Sequence, residues 1–530
     1  MKILKYICKS ENFIISLFYS LAYGIMLFND GVYIDGWCFY HVAKPAIMNM
    51  TKSYGNPWDG YIFSSIFSFD SLIIPRLAVF FLFLLSALFL NKTLKEIKEM
   101  DDGSRLSVVL LFAILPVNFA RIALCAFTYA ISYFAFFLGL MLFSRYFKTR
   151  GIMLRLATLL IFIISFCTNS LLVLYMVSII LFILYKERGR IGTPGEFIVG
   201  MLRYTDFLVI APAFWIAKNV FLKPCDFYAW HNNIALSSVL SAPIRSIQAF
   251  NDSFVAVINN AFNMFLSNAC LCIIFGFAVF LFLSKTVIAA ALSGKSDIKL
   301  FFLGLILFFA AAFPYLAVDH IPRFIDWDSR NQLLLPLGFS LALYYGMRLF
   351  CNRLRWGSHA RLFLYSLMIA LFISVNFKAY VDYQKDWFKQ LSLVENFRAS
   401  SVMKNNTTFI FDDQASDMNA MGRFYRFYEY TGLMKLAFND ETRFGMSLDM
   451  YNKLDWSRYF IDNKRFIELP EYNISGYRPR DPEFKVMIKP GSSDLSRMYK
   501  VIRALYYKLF DHVKFKKIIV GLVKLEYVRL

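Results

Sequence analysis

Between residues 29 and 70 the chain reads NDGVYIDGWCFYHVAKPAIMNMTKSYGNPWDGYIFSSIFSFD, which sets Asp30, Asp35, Asp59, Asp70 and His41 among Tyr33, Trp37, Tyr54 and Trp58. Carboxylates can take a proton from an attacking hydroxyl, and flat aromatic faces beside them can stack on a sugar ring. The segment before this stretch, FIISLFYSLAYGIMLF, has no charge, and the one after it, SLIIPRLAVFFLFLLSALFL, has only Arg76. An acid at the mouth of an apolar segment is costly unless it reaches water or has work to do. Asp30 lies nearest that mouth and is the first candidate base; its bland role is to mark the water boundary. Asp35, in the sequence IDGW, is the second candidate. Tyr33, Trp37 and Trp58 are candidate sugar-binding rings, and each also fits the aromatic belt that lines membrane interfaces.

Two later loops carry the remaining candidates. Residues 223–245 contain PCDFYAWHNN with His231, and residues 318–332 read VDHIPRFIDWDSRNQ with His320, Arg323 and Arg330. Arg330 opens an apolar segment. There a guanidinium can hold a phosphate by a bidentate contact and offset charge on a leaving group; its bland role is an ion pair with Asp326 or Asp328. Arg323 is the second phosphate-binding candidate, and His320 and His231 are candidate substrate-binding or acid–base groups. The five histidines show no HxH or HxxxH spacing and the eight cysteines no CxxC pair, so neither a dedicated metal site nor a cofactor is expected; a divalent ion held by Asp side chains is the alternative. Cys38 and Cys225 fall in loops where the compartment would permit a disulfide.

The elements that must position these residues are apolar helices. The 530 residues are 58% hydrophobic, with 59 Phe and only 18% charged, and the mean hydropathy is +0.50; soluble domains carry about 25% charged residues. Runs near 12–29, 71–90, 105–117, 121–143, 152–168, 170–185, 204–222, 262–284, 298–318, 331–350 and 361–380 approach the ~20 apolar residues that a membrane helix needs. The expected fold class is therefore an α-helical polytopic membrane protein with about eleven transmembrane helices. No small-residue cleavage site follows the first run, which predicts an uncleaved anchor.

The net charge of +20 has a topological explanation, because Lys and Arg collect in cytoplasmic loops. Basic clusters such as Lys92, Lys95, Lys98 and Arg105, or Arg348, Arg353, Arg355 and Arg361, recur at every second loop. That alternation places the N-terminus in the cytoplasm, with the 29–70 loop and everything after about residue 381 outside. No nucleic-acid partner is expected; membrane lipid is. Residues 1–380 form the expected membrane domain. Residues 381–530 mix charges of both signs without a membrane-length run, which predicts a small α+β domain on the extracytoplasmic side. There TTFIFDD and EFKVMIKPGSS predict strands, SRMYKVIRALYYKLFDHV a helix, and KKIIVGLVKLEYVRL either form.

An acid at the end of the first span, a long first outer loop, a tight hairpin at Pro116-Val117-Asn118 and a late loop whose Arg330 opens a span together resemble the GT-C type glycosyltransferases. These enzymes use polyprenyl-phosphate sugars and include protein mannosyltransferases and aminoarabinose transferases. Where that family has Asp-Glu this chain has Asn29-Asp30, and where it often has Arg-Tyr this chain has Arg330-Asn331. The resemblance covers the plan of nearly the whole chain. It implies an inner-membrane enzyme that moves a sugar from a polyprenyl-phosphate donor to an outward-facing glycan, lipid or protein, with Asp30 as base and Arg330 at the lipid phosphate. The serotype-converting glucosyltransferases of bacterial O-antigen, a part of lipopolysaccharide, are similar in size and layout. A flippase or transporter without bond-making chemistry, and a polysaccharide polymerase or ligase, are the alternatives. Few charges lie deep in the spans and the acids gather at one face, which favours the enzyme.

Overall fold

The structure, a computed structural model, describes residues 10–530 apart from 70, 189–199, 226–227, 230–233, 292–297, 454–459, 462–464, 467–475, 479 and 481. Helix dominates. In chain order the principal helices are α1 (Glu11–Tyr23), α2 (Lys44–Ser53), α3 (Pro57–Ile66), α4 (Ile73–Leu94), α5 (Asp102–Ile114), α6 (Phe127–Thr149), α7 (Ile152–Ser165), α8 (Leu171–Glu187) and α9 (Thr205–Phe221). They continue with α10 (Leu236–Phe250), α11 (Ala256–Ser267), α12 (Ala269–Leu283), α13 (Ile298–Ala317), α14 (Pro336–Arg353), α15 (Ser358–Ala399), α16 (Phe427–Phe438), α17 (Met498–Phe510) and α18 (His512–Val520).

Five helical segments are long and apolar enough to cross a membrane: Glu11–Phe28, Ile73–Leu94, Leu124–Thr149, Ile298–Ala317 and Ser358–Ala399. A sixth is reached if α10–α11 and α12, bent by 110°, count as one broken span. Exposed Phe13, Leu21, Ile74, Leu77 and Phe81 line the flanks of the first two segments, as side chains facing lipid would. These features fit a multi-pass membrane protein. The stretch expected as one span at 262–284 breaks at Asn268, whose φ of −146° and ψ of 46° leave the helical region. Helix α10 lies in what the sequence presents as loop.

Local chemistry explains the main joins. Asp101 caps α5 by accepting from the Ser104 N–H at 2.8 Å, the usual remedy for the unpaired amides of a helix start. Helices α13 and α14 pack closely because Gly338 carries no side chain: a Cβ there would lie 2.2 Å from the Phe308 nitrogen. Between α5 and α6 the chain runs through Pro116, and Asn118 takes a φ of 54°. That turn is buried and docks on the late loop, with the Ala120 N–H donating to Ser329 Oγ at 2.9 Å.

Helix α15 has 42 residues and passes straight through the expected domain boundary at residue 380. The C-terminal residues are thus tied to the bundle by a continuous helix rather than by a linker. They form a four-stranded sheet from β1 (Thr408–Asp413), β2 (Phe444–Ser447), β3 (Phe484–Pro490) and β4 (Val523–Arg529). The order is β2-β1-β3-β4, with β4 alone antiparallel. Both predicted strands and the predicted helix are present, and the ambiguous last stretch is helical to Val520 and then a strand.

Candidate functional site

The 29–70 loop starts on a buried anchor. Asn29 accepts hydrogen bonds from the Gly31 N–H at 2.8 Å and from Arg76 at 3.0 Å. Arg76, the one charge in α4 before Lys92 in its last turn, also donates to the Gly31 carbonyl at 2.8 Å. A guanidinium inside an apolar helix is stable only with such partners, so Asn29 and Arg76 fix how the loop leaves the first helix. Tyr33 completes the anchor: it is 1% exposed and donates to the Tyr383 carbonyl at 2.6 Å. It is a structural side chain rather than a substrate platform.

Asp30 points the other way. Its carboxylate forms an ion pair with Lys508 of α17, so the first candidate base already holds a cation of the C-terminal domain. Asp35 differs. It sits in a short 3-10 turn, Ile34–Cys38, and accepts a hydrogen bond from the Tyr428 hydroxyl at 2.7 Å. Burial and the neighbouring Asp35 charge push the Tyr428 phenol well above its ordinary value, so it stays a neutral donor. Ile34 has a φ of 54°, a sterically poor choice for a β-branched residue. The Glu429 carboxylate accepts the Ile34 N–H at 3.2 Å and holds that conformation. Two consecutive residues at the start of α16 therefore aim Asp35. Trp37, two residues on, is 4% exposed. Its ring lies so close to Gly432 that a Cβ there would come within 2.5 Å of it. Trp37 thus fills a packing position between the loop and α16 and offers no open face to a sugar.

The late loop brings Arg330 toward the same place. Its turn Asp326–Gln332 packs on Phe119–Ile122, and the Asp35 turn packs on the adjoining Leu124–Ala126. Arg330 donates to the Trp327 carbonyl at 3.2 Å, and its guanidinium lies 4.4 Å from the centre of the Trp327 ring. Among the described residues no carboxylate lies within ion-pair distance of it; the Asp326 side chain is outside the described set. Arg330 also acts on the half-buried His320, whose imidazole is pushed below its ordinary value first by burial and then by that cation. His320 is therefore neutral at neutral pH. Arg323 turns away: it is exposed and lies 3.7 Å from Asp252. His231 lies outside the described residues.

A further group surfaces that the sequence had offered only as one acid among several. Asp59, in the first turn of α3, is 6% exposed. Burial raises its carboxyl to about 7, against the opposing effects of the Tyr54 hydroxyl and the Lys218 charge. Tyr54 donates to it at 3.2 Å. Lys218 projects from α9 and donates to Asn56 at 2.5 Å and to Asn169 at 2.8 Å; its ammonium lies 4.9 Å from the Trp58 ring centre. Trp58 is half-buried and its indole N–H has no partner among the described residues. The Asp35 turn and the Arg330 loop share one seam along residues 119–126. The hint in the sequence was Lys218, an ionisable residue inside an apolar run. A second buried guanidinium, Arg121, donates to the carbonyls of Val117 and Asn118 at 3.1 Å each and lies between the rings of Tyr23 and Phe83. It closes its own turn.

Among the described residues no three His, Cys, Asp or Glu side chains converge as a metal site would require. Cys38 is buried whereas Cys225 is exposed, and no disulfide joins them. Neither a protein-family model nor a curated protein matches the sequence.

Proposed function

We propose that the protein is a membrane glycosyltransferase of the GT-C type. It takes a sugar from a polyprenyl-phosphate donor and delivers it to an outward-facing glycan, lipid or protein, with O-antigen or another cell-surface polysaccharide as the favoured acceptor class. The observation that carries this reading is the packing of two loops far apart in the chain, the Asp35 turn and the Arg330 loop, on the adjoining buried turns Leu124–Ala126 and Phe119–Ile122. Transfer from a lipid phosphate requires a base at the attacking hydroxyl and a cation at the departing phosphate. Asp35 replaces Asp30 as the base, since Asp30 is held by Lys508. Arg330 holds the phosphate, neutral His320 and the Trp58 indole meet the sugar, and Arg323 is set aside.

The same reading adopts the full topology. About eleven spans, a cytoplasmic N-terminus and an extracytoplasmic C-terminal domain put the Asp35 seam on the outer face of the inner (plasma) membrane. The shorter helices α5, α7, α8, α9 and α14 supply the spans beyond the longest ones. The break at Asn268 is the feature that favours the second reading, a flippase that moves a lipid-linked sugar intact.

The test is chemical. Purified protein given polyprenyl-phosphate-linked sugars and envelope glycans should release free polyprenyl phosphate and extend the glycan. Lipid-linked sugar that crosses vesicle membranes with its glycosidic bond intact would establish the flippase instead.

A further inference from the structure

Helix α17 is apolar on two faces. One face, with Val501, Ala504 and Leu505, is buried against the rest of the protein. The other carries Tyr499, Ile502 and Tyr506, then the adjacent Leu509 and Phe510 three and four residues on, and continues to Val513 at the start of α18; all are exposed, Phe510 at 71% and Val513 at 83%. Soluble surfaces rarely leave an apolar stripe of this length uncovered. The rings of Tyr506 and Phe510 pack on each other at 4.9 Å, which keeps the stripe continuous.

Position in the fold says what covers it. Lys508, beside Leu509 and Phe510, pairs with Asp30. Asp30 follows by two residues the exposed Phe28, the last residue of the first membrane-length segment. The final turn of α17 is thus pinned at the depth where the first span leaves the apolar layer. The edge of the stripe is basic: Arg503, Lys516 and Lys517 are exposed, and Lys514 is exposed beside Asp511. An apolar face bordered by Lys and Arg at that depth has the makeup of a helix lying in the membrane interface, sunk ~5–10 Å into the headgroup boundary.

We propose that α17 and the first turn of α18 lie in the plane of the membrane, with Tyr506, Leu509, Phe510 and Val513 among the acyl chains and the flanking lysines on acidic phospholipid headgroups. The C-terminal domain is then held at a fixed height over the loop end of the bundle. This conclusion does not depend on the reaction that the protein performs.

The full-length chain in nanodiscs, made with and without acidic phospholipid, tests it through tryptophan emission. The signal added by Phe510→Trp, read as the difference from the parent protein, should be lost to lipids that carry a nitroxide near the headgroup and spared by aqueous iodide. Val513→Trp should behave alike and guards against a local fault in the first variant. Without acidic lipid, or with Lys516→Gln and Lys517→Gln, the nitroxide should quench less. Quenching by iodide but not by nitroxide lipid would put the stripe in water and overturn the proposal. Protection from both would mean a protein cover, such as a second copy, and would overturn it equally. Quenching that ignores acidic lipid would remove the headgroup contact from the account.

Discussion

Two charged clusters flank the turn Ile34–Cys38, and they treat charge in opposite ways. On one side, Asp386 accepts from Arg423 at 2.7 Å, from the Tyr425 hydroxyl at 2.6 Å and from the Ala420 N–H at 2.8 Å. Arg423 also donates to Glu429 at 2.6 Å, and next to it Lys389 spans Asp413, Asn419 and the Ala415 carbonyl at 2.6–3.0 Å. Asp386, Lys389, Arg423 and Glu429 are all buried and saturated. On the other side, Asp35 has one neutral donor, Asp59 is buried with its charge only partly offset, and Arg330 rests on a carbonyl and an indole. Saturated charges hold a shape, and they have no capacity left for a substrate. Under-partnered charges lower stability and stay available for chemistry. The first cluster braces the second, since Glu429 belongs to the saturated network and grips the backbone beside Asp35.

The largest expected effect comes from breaking the brace. Arg423→Ala leaves Asp386 and Glu429 buried and unpaired, and loss of one partner from a buried pair costs about 3–5 kcal/mol. Thermal unfolding of the purified variant should show it, and an unchanged midpoint would mean that the network is not structural. Arg330→Ala should leave the midpoint near that of the parent. Its cost should appear in transfer, a fall of ~10²–10³-fold together with weaker donor binding. If it lowered stability instead, Arg330 would belong with the saturated class.

How much of this contrast was legible in the sequence depended on range. The loop 29–70, the Arg330 loop and the α+β character of the C-terminal residues follow from local composition and spacing, and they could be read directly. Asp30 and Asp35 could not be ranked, because the partner that occupies Asp30 is Lys508, 478 positions away. Trp37 and Tyr33 carry no local sign of burial; contacts with Gly432 and with the Tyr383 carbonyl decide their roles. Asp59 was one acid of four until α3 docked it near Lys218. Helix α10 went unread although Leu236, Leu240, Ile244 and Ile247 have helical spacing. Their exposure at 71–76% leaves a face that packs on nothing among the described residues, and the polar residues around it give the segment the composition of a loop.

Asp59 offers a graded test of the under-partnered class. An unfolded Asp titrates near ~3.9 and the folded carboxyl at about 7. Between these values the folded state binds the proton more tightly, so Asp59 lowers stability progressively as pH rises through that window. Asp59→Asn removes the titration. Its unfolding midpoint should match the parent near about pH 4 and exceed it near about pH 8; a gap independent of pH would contradict the assignment. The smallest effect is reserved for the rim. The Lys508–Asp30 pair is partly exposed, with side chains 18% and 35% accessible, and Lys508→Ala should cost less than ~1 kcal/mol. A larger loss would make this pair part of the brace.

The central claim is that, of the two acids at the start of the first loop, Asp35 does the chemistry and Asp30 holds the C-terminal domain. The direct measurement is sugar transfer from a polyprenyl-phosphate donor by Asp35→Asn and by Asp30→Asn, each in purified, folded protein. Asn keeps the size and removes the basicity. Asp35→Asn should lose ~10²–10⁴-fold, the usual contribution of a general base, while Asp30→Asn retains most of the parent rate. Near-normal transfer by Asp35→Asn, with transfer abolished by Asp30→Asn, would contradict the account.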